Sequence, residues 1–475
     1  MSASRPLHII ILAAGEGTRM GSSLPKVLHQ VGGKTMIERV LATATSLKPD
    51  RIHVVIGAGA AQVKKAVVGQ ERLAKKVFFR LQRRRLGTAD ALQCGMRGLT
   101  GSGVVLVMHG DVVMLASASL RRLVAQARAG AYANLTMRPS TPTGYGRIIR
   151  AAAGQPVAIV GEKDASAAQR RIGECDAGPV AVPLAWLRQN IARIGYGRKQ
   201  KERMLPDLVA RAAADGLAVK TVEVAEDEAA GINSPAQLAA VQARLGAQRL
   251  AALAARGVVF SAIESVSLRG SLQAAAGVYI DRNVVFEGDV RLAADVSIAP
   301  YCLIRDSKLG AGTRVEAFCH VAGTQAGRNC EIGPYARLRS KTELADRSRI
   351  GNFVEVKNAD LGRRATAKHL AYLGDVSLGE HVNIGAGTVF CNYDGTNKHH
   401  SQVGKRTMIG AGTMLVSPVK VGDDAQVAAG SVITRDVGCD QLAFARARQT
   451  TIRRPGKPAA AAKAGARIRR RPKRK

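Results

Sequence analysis

The sequence predicts a two-part chain: an α/β domain on a mostly parallel sheet, then a parallel β-helix, with one long helix between them. Three observations carry this. Short aliphatic runs alternate with helical stretches from residue 1 to about 230. Residues 233–256 read as one uninterrupted helix. From Val258 to about Val437 helical periodicity gives way to aliphatic–Gly pairs with a six-residue spacing.

In the first part, IIILAA, IHVVIGA, GVVLVMHGD and AVKTVEVA read as strands. TMIERVLATATSL, TADALQCGMRGL and LRRLVAQARA read as the helices between them. Such alternation predicts a parallel sheet with helices on both faces. Next comes NSPAQLAAVQARLGAQRLAALAAR. Asn233 or Ser234 can cap it, Pro235 suits the first turn, and helix formers fill the rest. This connector covers 233–257.

The aliphatic–Gly pairs begin at Leu309, Ile332, Ile350, Leu361, Leu373, Leu378, Ile384, Val403, Ile409 and Val421. Several gaps are 6, 12 or 18. A six-residue period gives one short strand and one corner per hexapeptide, and three hexapeptides close a triangular coil. The aliphatic should point inward and stack on its counterpart 18 residues away. Glycine should serve the corner dihedrals. A β-sandwich would show turns every 8–12 residues or so instead. The 19-residue gap from Ile384 to Val403 predicts a protruding loop, FCNYDGTNKHHSQ. The β-helix is expected over 258–452.

The totals narrow the chemistry less. Lys and Arg number 71 against 36 Asp and Glu, a formal charge of +35. Eleven of those cations lie between Arg453 and Lys475 with no acid among them. That tail, 453–475, is low in complexity and expected to be disordered. A basic surface attracts nucleotides, CoA, sugar phosphates, nucleic acid and anionic lipid alike. The seven cysteines are scattered without a CxxC pair, which fits free thiols in a reducing cytoplasm better than disulfides or zinc. The apolar run Ile9–Ala14 is too short for a signal peptide, and no apolar run has the length of a membrane span.

The opening stretch, LHIIILAAGEGTRMGSSLPKVL, joins a strand to a Gly-rich loop and a lysine. A Walker A loop fails because Leu28 stands where its first glycine must be, and a dinucleotide fingerprint fails at Met20. Leu12, Ala13, Ala14, Gly15 and Gly17 leave room for a nucleotide to approach the backbone, and Arg19 and Lys26 add two cations. At these residues the chain resembles the sugar-nucleotide pyrophosphorylases, with the signature LxxGxGTRxxxxxPK. Further motifs follow in order: LGTA (86–89), HGDVVM (109–114), PTGYGRI (142–148), EKDAS (162–166), RLRSKTEL (337–344), GNFVEVKNADLG (351–362), KHLAYLGD (368–375) and NIGAGTVFCNYDG (383–395). Together they resemble the bacterial bifunctional N-acetylglucosamine-1-phosphate uridylyltransferase/glucosamine-1-phosphate N-acetyltransferase family.

The resemblance implies a Rossmann-like nucleotidyltransferase domain, a linker helix and a left-handed parallel β-helix. In the first half it implies UMP transfer from UTP to N-acetylglucosamine-1-phosphate. Asp111 and Asn233 would be the Mg2+ ligands, and Arg19 and Lys26 would stabilise the triphosphate. Gln82, Gly87 and Thr88 would hold the nucleotide; Gly146, Glu162, Asp176 and Asn233 would face the sugar. In the second half it implies acetylation of glucosamine-1-phosphate by acetyl-CoA. His369 would be the base, with Glu355 orienting it. Arg339, Lys357, Tyr372 and Asn383 would hold the sugar phosphate. Ala386, Asn392, Tyr393, Lys398, Ala411, Ala429 and Arg446 would line the CoA groove. The family groove between neighbouring solenoids implies a homotrimer, and the tail is a candidate contact for nucleic acid or anionic lipid.

The chain departs from the family pattern at Arg85, Asp90, His109, Gly161 and Asp176, in ERMLPD (202–207), and at Ala411. Most of these sit on the sugar-facing side of the first half. An acetyltransferase with a weakened or sugar-altered uridylyl half is therefore the alternative reading.

Overall fold

The structure, a computed structural model, describes residues 5–68, 77–196 and 202–452. The tail 453–475 lies outside the described residues. The first domain runs β1 (Leu7–Ala13), α1 (Met36–Ser46), β2 (Arg51–Ile56), α2 (Ala60–Val68), β3 (Val77–Leu81), α3 (Thr88–Gly95), β4 (Val104–His109), α4 (Ser117–Arg128), β5 (Tyr132–Met137), β6 (Cys175–Pro183), α5 (Asp207–Ala214) and β7 (Val219–Val224). Its sheet order is β7-β5-β6-β4-β1-β2-β3. Only β6 is antiparallel to its neighbours along that path.

The aliphatic runs are unbroken because both faces of the sheet are covered. Ile9 and Ile11 of β1 pack with Leu41 of α1, Val63 of α2 and Leu123 of α4. Ile10 packs on the other side with Val105 and Val107 of β4, Leu92 of α3 and Leu208 of α5. The chain moves from β1 outward to β2 and β3, then returns to place β4 on the opposite side of β1. That reversal opens a crevice beyond the carboxyl ends of β1 and β4, where an open α/β sheet binds ligands. The Gly-rich loop and Asp111 both emerge there.

The connector is the helix α6 (Pro235–Ala254), capped by Ser234, whose hydroxyl accepts from the Gln237 amide at 3.3 Å. Val241 belongs to the core of the first domain, and Leu250 and Leu253 to that of the second. One helix thus packs on both halves.

From Val259 the chain winds through short parallel strands on three faces. Eleven of them form one face, from Val259–Phe260 to Leu442–Ala443. Its inward column runs Ile280, Ile298, Val315, Ile332, Ile350, Ala367, Ile384, Ile409 and Val427. Most steps are 17 or 18 residues rather than a strict 18, because corners differ by one residue. The step from Ile384 to Ile409 is 25, and the surplus is the expected loop at 392–400, closed by a Tyr393–Lys398 bridge.

Glycines serve the corner dihedrals as expected at some positions, and elsewhere they serve a second purpose. A Cβ at Gly351 would stand 2.0 Å from the Lys368 carbonyl oxygen, and one at Gly385 2.5 Å from the Ala411 nitrogen. Both keep successive coils in contact. Left-handed corners are taken by Gly312, Gly387, Gly412 and Gly430, with φ between 68° and 73°, and also by residues with side chains, among them Asn283, Tyr301, Phe318, Tyr335 and Phe353, with φ between 54° and 61°. Asn tolerates that conformation. Tyr301, Phe318 and Tyr335 stack on one another at 5.0 and 4.9 Å, an offset the aromatic contact makes favourable.

Candidate functional site

Two adjoining clefts of about 260 Å3 each open beyond the ends of β1 and β4, and Thr88, His109 and Asp111 line both. The first is lined by Leu12, Ala13, Ala14, Gly15, Lys26, Gln82, Arg85 and Gly87 among others. The second is lined by Asn134, Gly146, Asp176, Gly178, Met204 and Asn233 among others. The expected nucleotide and sugar residues therefore fall on opposite sides of Asp111.

At the join, Lys26 donates to the Asp111 carboxylate and to Asn233 Oδ1, the latter at 3.0 Å. All three come from separate segments. Lys26 follows the Gly-rich loop, Asp111 follows β4, and Asn233 precedes α6. Gly17 allows this approach: its φ is 68°, and a Cβ there would stand 2.5 Å from Lys26 Cβ. A carboxylate and an amide oxygen thus converge on one cationic point, presently the Lys26 ammonium. Two hard oxygens, completed by phosphate and water, fit a divalent metal.

In the second cleft, which Asp176 lines, the register of β6 shifts between Asp176 and Val180. Asp176 Oδ1 accepts from the Gly178 amide at 2.8 Å and from Asn134 Nδ2 at 3.1 Å. Burial raises its pKa above the usual carboxylate range, and these hydrogen bonds oppose the shift.

In the β-helix, His369 ends the strand Thr366–His369, beside Asn352 of the preceding coil. Ala367, Ile384, Ile409 and Val427 stack in successive coils, so two residues beyond them stand His369, Ala386, Ala411 and Ala429. The three alanines are exposed. A histidine thus heads a track of small side chains along the solenoid, and Arg446 donates to the Ala429 carbonyl at its far end, at 2.7 Å.

Around the corner from His369 lies a polar cluster centred on Asp375, which is buried. Asp375 accepts from Asn358 and Asn392, and Asn392 reaches the Tyr372 hydroxyl at 3.5 Å. Lys357 stands against Lys398, whose proximity, first among the causes, lowers the Lys357 pKa. Arg339 lies one coil below Lys357, its amide bonded to the Val356 carbonyl. Two lysines and an arginine thus lie near the Asp375 cluster, with Arg339 also paired to Glu355.

Residues 9–186 match the family of MobA-like NTP transferase domains, and 400–435 match the bacterial transferase hexapeptide family (six repeats). The chain is 44% identical over 446 residues to the bifunctional protein GlmU of Burkholderia vietnamiensis, covering 94% of this chain and 97% of that one. It is 44% identical over 448 residues to that of Aromatoleum aromaticum, with the same coverage. The chain belongs to the GlmU family. A solved UDP-glucose pyrophosphorylase complexed with UDP-glucose aligns with a TM-score of 0.43 at 13% identity, over 50% of this chain and 98% of its own.

Several expected residues of the GlmU pattern sit elsewhere than anticipated. Glu355 does not orient His369: its carboxylate is held by Arg339 at 3.0 Å and Arg337 at 3.7 Å. The reason is register, since Glu355 pairs with Arg337 and Tyr372 on the face after the corner, whereas His369 ends the face before it. Glu162 does not line the second cleft: it pairs with the buried Arg147 at 2.7 Å and accepts from the Gly144 amide at 3.4 Å. Arg19 is exposed on the turn Thr18–Met20 and does not line either cleft. Asn383 stands on the face bearing Thr366 and Met408, away from Arg339 and Tyr372 within one chain. Arg85 pairs with Glu16 at the mouth of the nucleotide cleft. Arg203 is buried and donates to the Ile194 carbonyl at 2.9 Å and Gln93 at 2.6 Å, tying α3 to the segment that ends at Ile194.

Asp375, Asn358, Asn134 and Arg147 were not singled out from sequence. Asp375 and Asn358 carried a signal nonetheless: both sit in quoted motifs and take positive φ, 51° and 47°, as Asp and Asn tolerate.

Proposed function

We propose that the chain performs both reactions of UDP-N-acetylglucosamine synthesis from glucosamine-1-phosphate. In the second half, acetyl-CoA acylates the sugar amine. In the first, UTP passes UMP to N-acetylglucosamine-1-phosphate and pyrophosphate leaves. The observation that carries the reading is the convergence of Lys26, Asp111 and Asn233 where the two clefts of the first domain meet, in a chain that also assembles the His369 track.

In the uridylyl half, a phosphate oxygen of the sugar phosphate attacks the α-phosphorus of UTP. The bond from that phosphorus to the pyrophosphate oxygen breaks. Such a transfer depends on position and charge neutralisation. Ala13, Ala14 and Gly15 let the triphosphate lie along the loop, and Lys26 offsets its charge. Asp111 and Asn233 would hold Mg2+, which when bound neutralises phosphate charge. Gly146 and Asp176 face the acceptor sugar.

In the acetyl half, His369 takes the proton of the sugar ammonium so that the nitrogen lone pair can attack the thioester carbonyl carbon. The carbon–sulfur bond then breaks and CoA leaves as the thiol. Arg339, Lys357 and Tyr372 hold the sugar phosphate, and Glu355 sets Arg339. The track Ala386–Ala411–Ala429 leaves room for the pantetheine arm. The loop carrying Asn392, Tyr393 and Lys398 starts at the other edge of the face. Gly387 and Asn392 mark the two corners, roughly 16 Å apart at about 3.3 Å per residue. That separation supports a site completed by a neighbouring copy, and the hexapeptide repeats fit a homotrimer. The seven free thiols support a cytoplasmic setting. Among the described residues no helix is long and apolar enough to cross a membrane.

The test is a paired assay: pyrophosphate release from UTP with N-acetylglucosamine-1-phosphate, and CoA release from acetyl-CoA with glucosamine-1-phosphate. Asp111→Asn should remove the first activity alone and His369→Ala the second alone. Loss of neither activity, or of both together, contradicts the assignment.

A further inference from the structure

Gln82 is buried at the end of the nucleotide cleft, its amide nitrogen donating to the Ile56 carbonyl at 2.9 Å at the end of β2. Its side-chain Nε2 donates to Asp90 Oδ2 at 2.7 Å and to the Gly87 carbonyl at 3.2 Å. Both partners are acceptors only, a carboxylate and a backbone carbonyl. The orientation of the carboxamide therefore has a chemical cause. Turning it over would set Oε1 against two oxygens. With Nε2 committed, Oε1 is the atom presented to the cleft.

We propose that Asp90 is a specificity-determining residue for the nucleobase: it pins Gln82 so that the cleft offers an acceptor, and thereby selects a uracil base over cytosine. The inference rests on reading this cleft as the UTP site. Uracil carries an N3–H donor, which Oε1 accepts. Cytosine carries a lone pair at N3, which would face the lone pairs of Oε1. Cytosine could be accommodated if Gln82 turned and donated Nε2 to N3, but Asp90 and the Gly87 carbonyl oppose that turn. Asp90 lines neither cleft, so it acts through Gln82. It stands in the first turn of α3, where a carboxylate is also favoured by the helix dipole.

The experiment measures UTP and CTP dissociation constants by titration calorimetry with Mg2+ on the full chain, alongside uridylyl transfer. The variants are Asp90→Asn, which can present its NH2 to a turned Gln82, and Asp90→Ala, which removes the acceptor. The wild-type protein should bind UTP at least tenfold tighter than CTP. Each variant should narrow that ratio at least fivefold, mainly by tightening CTP. A structural defect would weaken both nucleotides together and leave the ratio alone. A ratio unchanged in both variants, or a wild-type protein that binds CTP as tightly as UTP, overturns the proposal. UTP binding without pyrophosphate release on adding N-acetylglucosamine-1-phosphate overturns the uridylyltransferase reading instead. Binding of neither nucleotide overturns both.

Discussion

Lys26 Nζ lies 3.0 Å from Asn233 Oδ1 and also contacts Asp111, so a lysine ammonium occupies the point on which both proposed metal ligands converge. Lys26 and a divalent cation compete for the same two oxygens. Lys26→Ala should therefore lower uridylyl transfer by about 10²-fold or more, the scale for losing a charge-stabilising donor. It should also tighten Mg2+ binding to the nucleotide-free protein. Calorimetric titration with Mg2+ checks this, and weaker binding than wild type would contradict the competition.

His369 heads the alanine track without a carboxylate partner from Glu355, which serves Arg339 instead. His369→Ala should cost acetyl transfer about 10²-fold or more. Glu355→Gln should raise KM for glucosamine-1-phosphate more than it lowers kcat, because it frees Arg339 rather than the base. A kcat loss matching that of His369→Ala would restore Glu355 as its orienting partner.

The track itself can be blocked without touching the core, since Ala411 and Ala429 are exposed. Ala411→Leu and Ala429→Leu should each raise KM for acetyl-CoA at least tenfold and leave uridylyl transfer and thermal stability near wild type. Steady-state kinetics of the two half-reactions, with a melting curve, checks it.

His8 and His53 are buried neighbours on β1 and β2, and burial pushes both below the ordinary histidine value. The unfolded chain then binds protons more readily than the folded one. The stability these residues contribute is fully present above a pH of about 6.5 and is lost as pH falls toward their folded values. The melting temperature should drop between pH 7.5 and 5.5, and His53→Gln should flatten that slope. An unchanged slope in the variant would remove His53 as a cause.

Much of the architecture is legible in the sequence. The strands at 7–13, 51–56, 104–109 and 219–224, the capped connector, the coils and the loop after Asn392 all follow from local spacing. Spacing is local, and a strand or coil records its own environment in which positions are aliphatic. The mixed strands β5 and β6 were not legible, because Asn, Thr, Asp and Gly interrupt their apolar pattern.

The site divides the same way. The Gly-rich loop placed Lys26 among the candidates, and the family resemblance carried by the ordered motifs added Asp111, Asn233, His369 and the three alanines. Only the tertiary structure decided which of them meet. Register between coils gave Glu355 to the arginines and lined Ala386, Ala411 and Ala429 up behind His369. The buried Arg147 paired with Glu162, which does not line the second cleft. The meeting of Lys26 with Asn233 depends on a sheet reversal and a helix start more than two hundred residues away. A linear pattern fixes what each segment is; the contacts between segments depend on how all of them share one core and one register.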